Sequence, residues 1–432
     1  MRESIIVDQF RLIVLGNFLF KISSKILADK LSQVATRIVS PQQFGFIRDR
    51  HIEDCIALAS NCVNVLHKKC YKGSVAMKID IRRAFDTFDW KFLYRVLCAF
   101  CFSQIFMNWI DSILGSLRLS VLINGSPAGY FRCTRGVRQG DPLSPLLFGI
   151  AENFLSRLLS KMVASYHLLP ISSLRSFSAP THLLYADDVL IFYRGMANNL
   201  RNVVNAFCVY GNISSQLDNW SKSSIFFGSS VSPTRISSLQ SLVGMQIGHF
   251  LFSYLGVPLF RGKPRKSILI PIADKIVSKF ARWKGKSLSM VGRATLIRSV
   301  ITDSFVHSFM VYKWLVPLIQ MNTKKIKNFL WTGSCEDSKL VRVDWKRCYR
   351  PYALGGLGLK DLALLNDSLL RKLTWKFITS NSFVFTFCVR DILTSCRNLR
   401  EDTSPPPSGL LLSLAMLSSL RMVSGSSKKA PK

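Results

Sequence analysis

The feature that most constrains the fold is a pair of adjacent carboxylates between two apolar runs. The tetrapeptide Tyr185–Asp188 (Tyr-Ala-Asp-Asp) lies between the apolar runs 183–184 and 189–193. Runs this rich in β-branched and aromatic side chains predict two short strands of a hairpin, with both carboxylates at its turn. Because Asp187 and Asp188 repel each other there, the pattern favours a multivalent cation between them.

A third carboxylate follows a similar run. Asp80 closes the segment 75–79 (Val-Ala-Met-Lys-Ile), which predicts a neighbouring strand that ends at this aspartate. Carboxylate oxygens from two adjacent strands can hold two Mg²⁺ ions, or Mn²⁺ in their place. Two such ions about 3.5–4 Å apart stabilise the attacking and leaving oxygens of an in-line phosphoryl transfer. The pattern therefore predicts the chemistry of a nucleotide polymerase.

Composition limits the class of protein further. The 432 residues are 48% hydrophobic, enough for a folded chain of two or three domains, and 58 Lys and Arg against 25 acidic residues give a net charge of +33. A charge this large favours a nucleic-acid partner, and no isolated basic amphipathic segment indicates a membrane surface. Asp8 and Arg11 interrupt the apolar N-terminal run that a secretory signal would need. We expect an intracellular chain, in the cytoplasm or nucleus, that is neither secreted nor transmembrane; its oligomeric state stays open.

The cysteines predict no zinc site. Cys98 and Cys101 form a lone Cys-x-x-Cys without a second pair or a suitably spaced histidine. Because they lie in an apolar stretch, we expect buried, reduced thiols.

Helical periodicity and turn signals place the other elements. Pro41 is expected to end a first helix, and residues 52–68 have helical spacing. Asn124-Gly125 predicts a hairpin turn, and Asp141 and Pro142 predict the N-cap and first residue of a helix. From Ile268 to Trp283 the pattern is helical again, within a region, 261–300, that carries eleven Lys or Arg and one acid. A solvated face explains such a charge run as readily as a phosphate-binding one.

Several blocks in one order resemble the reverse transcriptases of non-LTR (LINE-type) retrotransposons, especially those of plants. The blocks with the clearest similarity are Asp80–Asp86 followed by Trp90, Gly136–Pro145, Tyr185–Asp188, Ser215–Ser223 and Tyr254–Gly256. Weaker similarity is found in the segments 10–13, 21–28, 288–293 and 355–358 and at Trp283 and Leu362. The resemblance covers about residues 5–380 in the family's order, and a chance match of that many blocks is very improbable.

The resemblance implies an α+β fold, the right-hand polymerase of fingers, palm and thumb, with an antiparallel palm sheet packed on helices. On this basis we expect fingers and palm over 1–260, a basic helical thumb over 261–335 and a connection segment over 336–400. Residues 401–432 are Pro/Ser-rich and are expected to form a disordered tail.

The resemblance also implies roles for particular residues. Asp80, Asp187 and Asp188 would be catalytic and, with the Ile81 carbonyl, would bind two Mg²⁺ ions. The substrates would be dNTPs, and the partners an RNA template and a DNA primer. The remaining expected site residues are Phe85, Gln139, Gly140 and Arg50 for nucleotide binding, Lys222 as a general acid, and Tyr254, Leu255 and Gly256 as the primer grip.

Some of these roles have simpler alternatives. Phe85 is equally a core aromatic residue, and Lys222 is also explained as an exposed lysine. Before Arg50 stand Arg48-Asp49, where the family usually has Pro-Gly.

Two other functions compete with the polymerase. A catalytically silent remnant that only binds RNA would share the fold, and substitutions such as Leu12 for the family's proline favour it. An intron-maturase-like factor would share the palm. The sequence starts within the fingers motifs and has no room for an endonuclease, so we expect a truncated copy or a gene-model fragment.

Overall fold

The computed structural model describes residues 17–171, 179–282 and 285–379, together with Val14. Trp283, the segment 10–13, Asp8, Arg11 and the tail 401–432 lie outside the described residues. Within the described ranges the chain divides into two compact units. The first contains residues up to 55 and 65–249, and the second contains 56–64 and the residues from 250 onward.

The described part of the chain up to residue 249 combines helices with strands. These helices are α1 (Phe18–Ile38), α2 (Ile52–Leu66), α3 (Ala84–Thr87), α4 (Trp90–Ala99), α5 (Gln104–Gly115), α6 (Ser144–Ala164), α7 (Ala197–Ser214) and α8 (Pro233–Val243). The strands are β1 (Ser74–Arg82), β2 (Arg118–Ile123), β3 (Ser126–Arg132), β4 (His182–Tyr185), β5 (Asp188–Arg194), β6 (Leu217–Asp218), β7 (Ser224–Phe227) and β8 (Gln246–Ile247).

The main sheet has the order β4-β5-β1-β7-β8, and β6 pairs with the end of β1. β1 is antiparallel to both of its long neighbours, so it is the central strand, and its residues 75–77 are fully buried. The apolar side of the sheet joins α4, α6 and α7 in one core. This mixture of helices and a mainly antiparallel sheet confirms the predicted α+β class.

The hairpin expected at Asn124-Gly125 is formed by β2 and β3, which make a separate two-stranded sheet. Asn124 has a φ of 50° and Gly125 a φ of 85°, the left-handed values that the favoured hairpin turn requires.

Two predictions about local structure are wrong. The helix expected at Pro142 begins at Ser144, because the Asp141 carboxylate accepts from the N–H of Leu143 and the Leu143 carbonyl accepts the first helical bonds. The thiols of Cys98 and Cys101 are exposed, not buried: α4 directs Leu93 and Leu97 into the core and Cys98 away from it, and Cys101 lies in the turn after the helix.

The second unit contains a small hairpin followed by helices. Its strands are β9 (Leu251–Tyr254) and β10 (Val257–Phe260), and its helices are α9 (Lys266–Arg282), α10 (Met290–Leu296), α11 (Thr302–Phe309), α12 (Val316–Thr332), α13 (Trp345–Cys348) and α14 (Leu362–Thr379). The fully buried Trp314 packs edge-on against Phe305 and Phe309 in its core. The functional labels and boundaries expected for fingers, palm, thumb and connection stay predictions. In the described ranges, every helix is too short or too polar to cross a lipid bilayer.

Candidate active site

The predicted carboxylates lie at one end of the main sheet, near the end of β1 and at the start of β5. β4 and β5 form the expected hairpin, Tyr185 pairs with Asp188, and Asp187 is exposed in the turn between the strands. Asp80 on β1 is directly opposite Asp188 on β5 in the antiparallel register. Side chains directly opposite in such a pair have Cβ atoms about 4.5–5.5 Å apart, so the two carboxylates share one face of the sheet. We call Asp80, Asp187 and Asp188 the carboxylate edge.

The carboxylate edge is electrostatically strained. Burial raises the pKa of Asp188, and the neighbouring Asp187 and Asp80 raise it further, while Lys78 lowers it. The Lys78 ammonium lies 3.9 Å from Asp188 Oδ1, and both side chains are partly buried. Lys78 stands two residues before Asp80 on β1, so it reaches the same face of the sheet.

The donor set at this edge fits a hard cation in part. The side chains supply carboxylate oxygens, the ligands that Mg²⁺ prefers, and Mg²⁺ is usually held by one or two carboxylates plus water and substrate phosphates. Within the described ranges, no three His, Cys, Asp or Glu side chains come close enough to form a metal site by themselves. The predicted three-carboxylate ligand set, with the Ile81 carbonyl, therefore stays a prediction.

A loop after β6 supports the end of β1. The Asp80 N–H donates to Ser223 Oγ (3.2 Å), and the Asn219 N–H donates to the Asp80 carbonyl (2.8 Å). Lys222 belongs to this loop and is exposed. Ile81 lies opposite Asp218, whose pKa burial raises to about 6. The structure thus brings the loop of Lys222 to Asp80, whereas the proton-donor role of this lysine stays a prediction.

The expected nucleotide-binding residues on two segments come together. The half-buried ring of Phe85 stacks on Phe148 with centroids 4.5 Å apart, so it is packed against the core without being fully enclosed. The Val137 N–H donates to the Phe85 carbonyl (2.8 Å), and Gln139 Nε2 donates to Asp86 Oδ1 (3.0 Å). These bonds fix the loop before α6 against α3.

The loop at Gly140 adopts a conformation that suits glycine. Gly140 is exposed, with a φ of 99°, a value that side chains disfavour. The Val14 N–H donates to the Gln139 carbonyl (3.2 Å), so a residue near the N-terminus contacts this loop.

Arg50 makes contacts that favour a structural role. Its Nη1 donates to the carbonyls of Ser40 (2.5 Å) and Gln43 (2.6 Å), and its Nη2 donates to those of Val39 (2.9 Å) and Thr36 (3.3 Å). These carbonyls belong to the end of α1 and the loop after it, so the guanidinium caps the helix. Burial lowers the pKa of Arg50. Its role in triphosphate binding stays a prediction.

Sequence reasoning missed a buried network beneath the hairpin turn. Glu152 on α6 is fully buried, and its Oε2 accepts from Gln43 Nε2 (3.2 Å), while its Oε1 has no hydrogen-bond partner among the described residues. Burial first, and then repulsion from Asp187 and Asp188, raises the pKa of Glu152 well above its ordinary value. A carboxylate inside the apolar run 146–155 was the sequence signal that could have found this residue.

The same network holds a loop against the turn. The Phe44 N–H donates to the Leu184 carbonyl on β4 (2.8 Å), and the Gly45 N–H donates to Gln43 Oε1 (3.0 Å). Gly45 packs so closely that a Cβ there would lie 2.4 Å from the backbone nitrogen of Ala186. The position therefore excludes every side chain unless the turn moves. We call residues 42–45 with Glu152 the turn support.

The expected primer grip lies in the second unit. Tyr254 is buried at the end of β9, and Leu255 and Gly256 form the turn to β10 with φ values of 49° and 80°. The turn is thus a tight hairpin turn, and its role with a primer stays a prediction.

Comparison with known proteins identifies the family. The family model described as "Reverse transcriptase (RNA-dependent DNA polymerase)" matches residues 3–259, more than half of the chain. The chain belongs to the reverse transcriptase family.

Two relatives of this chain are retrotransposon proteins. It is 27% identical over 318 residues to the uncharacterized 149 kDa protein of transposon TX1 from Xenopus laevis, covering 73% of the chain and 24% of the relative. It is 22% identical over 397 residues to the Pol polyprotein of the type-2 retrotransposable element R2DM from Drosophila melanogaster, covering 88% and 35%. The chain thus spans about a quarter to a third of these relatives. They confirm the predicted resemblance to LINE-type reverse transcriptases.

Solved structures add little to this assignment. Apo telomerase from Candida tropicalis is 11% identical and has a TM-score of 0.44, covering 85% of this chain and 61% of that one. A likeness at this level carries no argument. The assignment of this chain therefore depends on the family match, with which its α+β architecture agrees.

Proposed function

We propose that this chain is an RNA-directed DNA polymerase that adds dNTPs to a primer 3′-hydroxyl on an RNA template. The observation that carries the proposal is the register of β1 and β5, which sets Asp80 opposite Asp188 beside the turn at Asp187. Membership of the reverse transcriptase family supports the same reaction. The excess of 58 basic over 25 acidic residues supports a polyanionic template and primer.

In this proposal Asp80, Asp187 and Asp188 of the carboxylate edge, with the Ile81 carbonyl, would hold two Mg²⁺ ions. When bound, the ions would lower the pKa of the primer 3′-hydroxyl and stabilise the leaving pyrophosphate. The chain's own residues orient the carboxylates and the substrate. Lys78 pairs with Asp188 and limits repulsion within the edge, and the turn support fixes the turn that carries Asp187.

The remaining expected site residues would bind the nucleotide, the pyrophosphate and the primer. Gln139 and Gly140 would contact the incoming dNTP, and the exposed side of the Phe85 ring would exclude a 2′-hydroxyl. Lys222, in the loop bound to Asp80, would protonate the pyrophosphate, and Tyr254 to Gly256 would hold the primer end. The domain roles are the expected ones: fingers and palm, then thumb, then connection segment.

Primer extension on an RNA template with dNTPs and Mg²⁺ tests the proposal. We expect wild type to extend the primer and Asp187→Ala to be slower by about a thousandfold or more, about 4 kcal/mol of lost transition-state stabilisation. Asp303→Ala is the matched control, because Asp303 is an exposed aspartate on α11. It should extend like wild type.

Two results would contradict the proposal. Extension by Asp187→Ala at the wild-type rate would remove the carboxylate edge from the mechanism. A folded wild type that binds RNA in a salt-sensitive way and extends no primer would indicate the silent RNA-binding alternative. The comparisons do not favour that alternative or the maturase.

A further inference from the structure

The β2–β3 hairpin offers almost all of its side chains to solvent. Every residue of β3 and every residue of β2 except Leu119 is exposed. A two-stranded ribbon without a covering layer is marginally stable in water. A ligand that covers one face would therefore bind side chains that the fold leaves available.

The two faces of the hairpin differ in chemistry. Arg118 lies directly opposite Arg132, so these two share one face, and Tyr130 lies two residues before Arg132, at the bulge where the pairing register shifts. We call Arg118, Tyr130 and Arg132 the Arg–Tyr face. The other face is apolar, with Leu119 paired with Phe131 and Val121 paired with Ala128.

The Arg–Tyr face combines two arginines, which suit an anion, with a tyrosine ring, which suits an aromatic group of the same ligand. Like charges directly opposite in an antiparallel pair are destabilising, so the Arg118–Arg132 pair favours an anion beside it. Arg118 Nη1 donates to the carbonyls of Leu117 (3.3 Å) and Gly115 (3.4 Å), which hold this arginine at the hairpin base. Tyr130 is 77% exposed, which leaves its ring available for stacking on a base.

Local charge points in the same direction. Between Asp111 and Asp141 the chain carries four arginines and no acidic residue. Arginines that bind phosphates next to an aromatic ring that stacks on bases are the combination that proteins use for single-stranded nucleic acid. This charge complementarity favours RNA over a protein partner on this face.

The segment that follows the hairpin is bound to residues shortly after Asp80 in the chain. The Gly136 N–H donates to the Phe88 carbonyl (2.7 Å), and the Val137 N–H donates to the Phe85 carbonyl (2.8 Å). The segment after β3 therefore leads directly into the loop of Gln139, which is assigned to the incoming nucleotide.

We propose that the Arg–Tyr face binds the single-stranded part of the RNA template before it enters the candidate active site. This inference rests on the proposed polymerase function, since that function supplies the template. It assigns the hairpin to the uncopied strand and not to the primer–template duplex.

Equilibrium binding of the full chain to a fluorescent RNA template annealed to a DNA primer tests this proposal. Two substrates are compared, with a long and a short single-stranded 5′ overhang. We expect wild type to bind the long overhang more tightly, and Arg118→Ala/Arg132→Ala to lose that gain. Each phosphate contact to a single strand contributes about 0.7 to the slope of log K against log salt, so the double variant should lower the slope by about 1.4 for the long overhang only. Tyr130→Ala should weaken long-overhang binding by about fivefold or more.

Matched controls remove the same groups elsewhere. Arg95→Ala/Arg201→Ala deletes two exposed arginines from α4 and α7, and Tyr166→Ala deletes a tyrosine that is 83% exposed. These variants should keep the extra affinity for the long overhang. Circular dichroism confirms that each variant is folded before its binding is compared.

Three outcomes would overturn the proposal. One is an unchanged salt slope in Arg118→Ala/Arg132→Ala, and a second is an equal loss with both overhangs. The third is that Val121→Ser/Ile123→Ser changes the sedimentation of the chain while the Arg–Tyr variants keep wild-type RNA binding, which would assign the hairpin to a protein interface. None of these results depends on primer extension, so failure of the hairpin proposal is distinguishable from failure of the polymerase proposal.

Discussion

Two antiparallel strand pairs in the first unit differ in how far their side chains are exposed to solvent. β1 and β5 pair over seven positions, and the middle of β1 is inaccessible to solvent. β2 and β3 pair over a similar length, yet Val121 is 50% exposed and the whole of β3 faces solvent. Backbone pairing is alike in the two, so the difference lies in what covers their side chains.

The difference shows how each pair can carry charge. β1 and β5 hold Asp80 opposite Asp188 because buried neighbours on both strands fix their register, and a nearby lysine offsets part of the repulsion. β2 and β3 hold Arg118 opposite Arg132 in solvent, where water screens the repulsion. The buried pair can therefore keep a fixed geometry for a reaction, and the exposed pair can adapt to a ligand.

The largest expected effect tests this contrast in stability. Ile79→Ala removes a fully buried side chain next to Asp80 and should lower the free energy of unfolding by about 2–5 kcal/mol. Val121→Ala removes a half-exposed side chain and should change it by about 0.5 kcal/mol or less. Urea unfolding followed by circular dichroism measures both. Equal losses would mean that the hairpin is covered in solution.

The turn support gives the next effect. Glu152→Ala leaves Gln43 without its acceptor in a buried site, so we expect a loss of about 1–3 kcal/mol in unfolding free energy and primer extension slower by about tenfold. Burial raises the pKa of Glu152, which favours its neutral form, so Glu152→Gln, which resembles that form, should keep most of both properties. Glu336→Ala, at an exposed site, is the control. If Glu152→Gln fails as badly as Glu152→Ala, a charged Glu152 is required and this account is wrong.

The smallest expected effect is a pH dependence from the buried side of β4. His182 is fully buried between Ser156 and Thr181, and burial lowers its pKa to about 3. In the unfolded chain its pKa is about 6.5, so between these values the unfolded state binds the extra proton. Stability from this residue is therefore complete above pH 6.5 and is lost as pH falls, by about 2 kcal/mol at pH 5.

Comparison of wild type with His182→Asn isolates that contribution. The difference in unfolding free energy between the two should shrink from pH 7 to pH 5, when measured by urea unfolding at each pH. A constant difference would show that the pKa of His182 is the same in the folded and the unfolded chain, so that burial does not lower it.

The sequence predicts local features of the site better than distant ones. The hairpin around Asp187 follows from alternating β-prone residues and a turn, which depend only on neighbours. The Asp80–Asp188 register joins segments more than a hundred residues apart; the apolar run 75–79 predicted a neighbouring strand that ends at Asp80, but periodicity alone does not specify its register.

The turn support was missed for a similar reason. Gln43 and Glu152 are 109 residues apart, and each reads alone as an ordinary polar residue of a loop or helix. The helix start predicted at Asp141 was wrong because its carboxylate accepts from the Leu143 N–H in a turn that precedes the helix. An aspartate can form either such a turn or an N-cap, and the residue type alone does not decide between them.

Helix α2 is shared between the two units, and this limits how the chain can be divided into fragments for expression. Cys55 and Val65 belong to the first unit, but residues 56–64 between them belong to the second, where the Asn64 side chain accepts from the N–H of Gly262 (3.1 Å). A fragment that starts at residue 250 would lack the buried Ile56 and its helical neighbours, and one that ends at residue 249 would leave them uncovered. No single cleavage separates the two units, so a fragment made to contain the second unit alone needs that helix grafted on. A loss of activity in a fragment cut between residues 249 and 250 would therefore report misfolding and not the location of a functional residue.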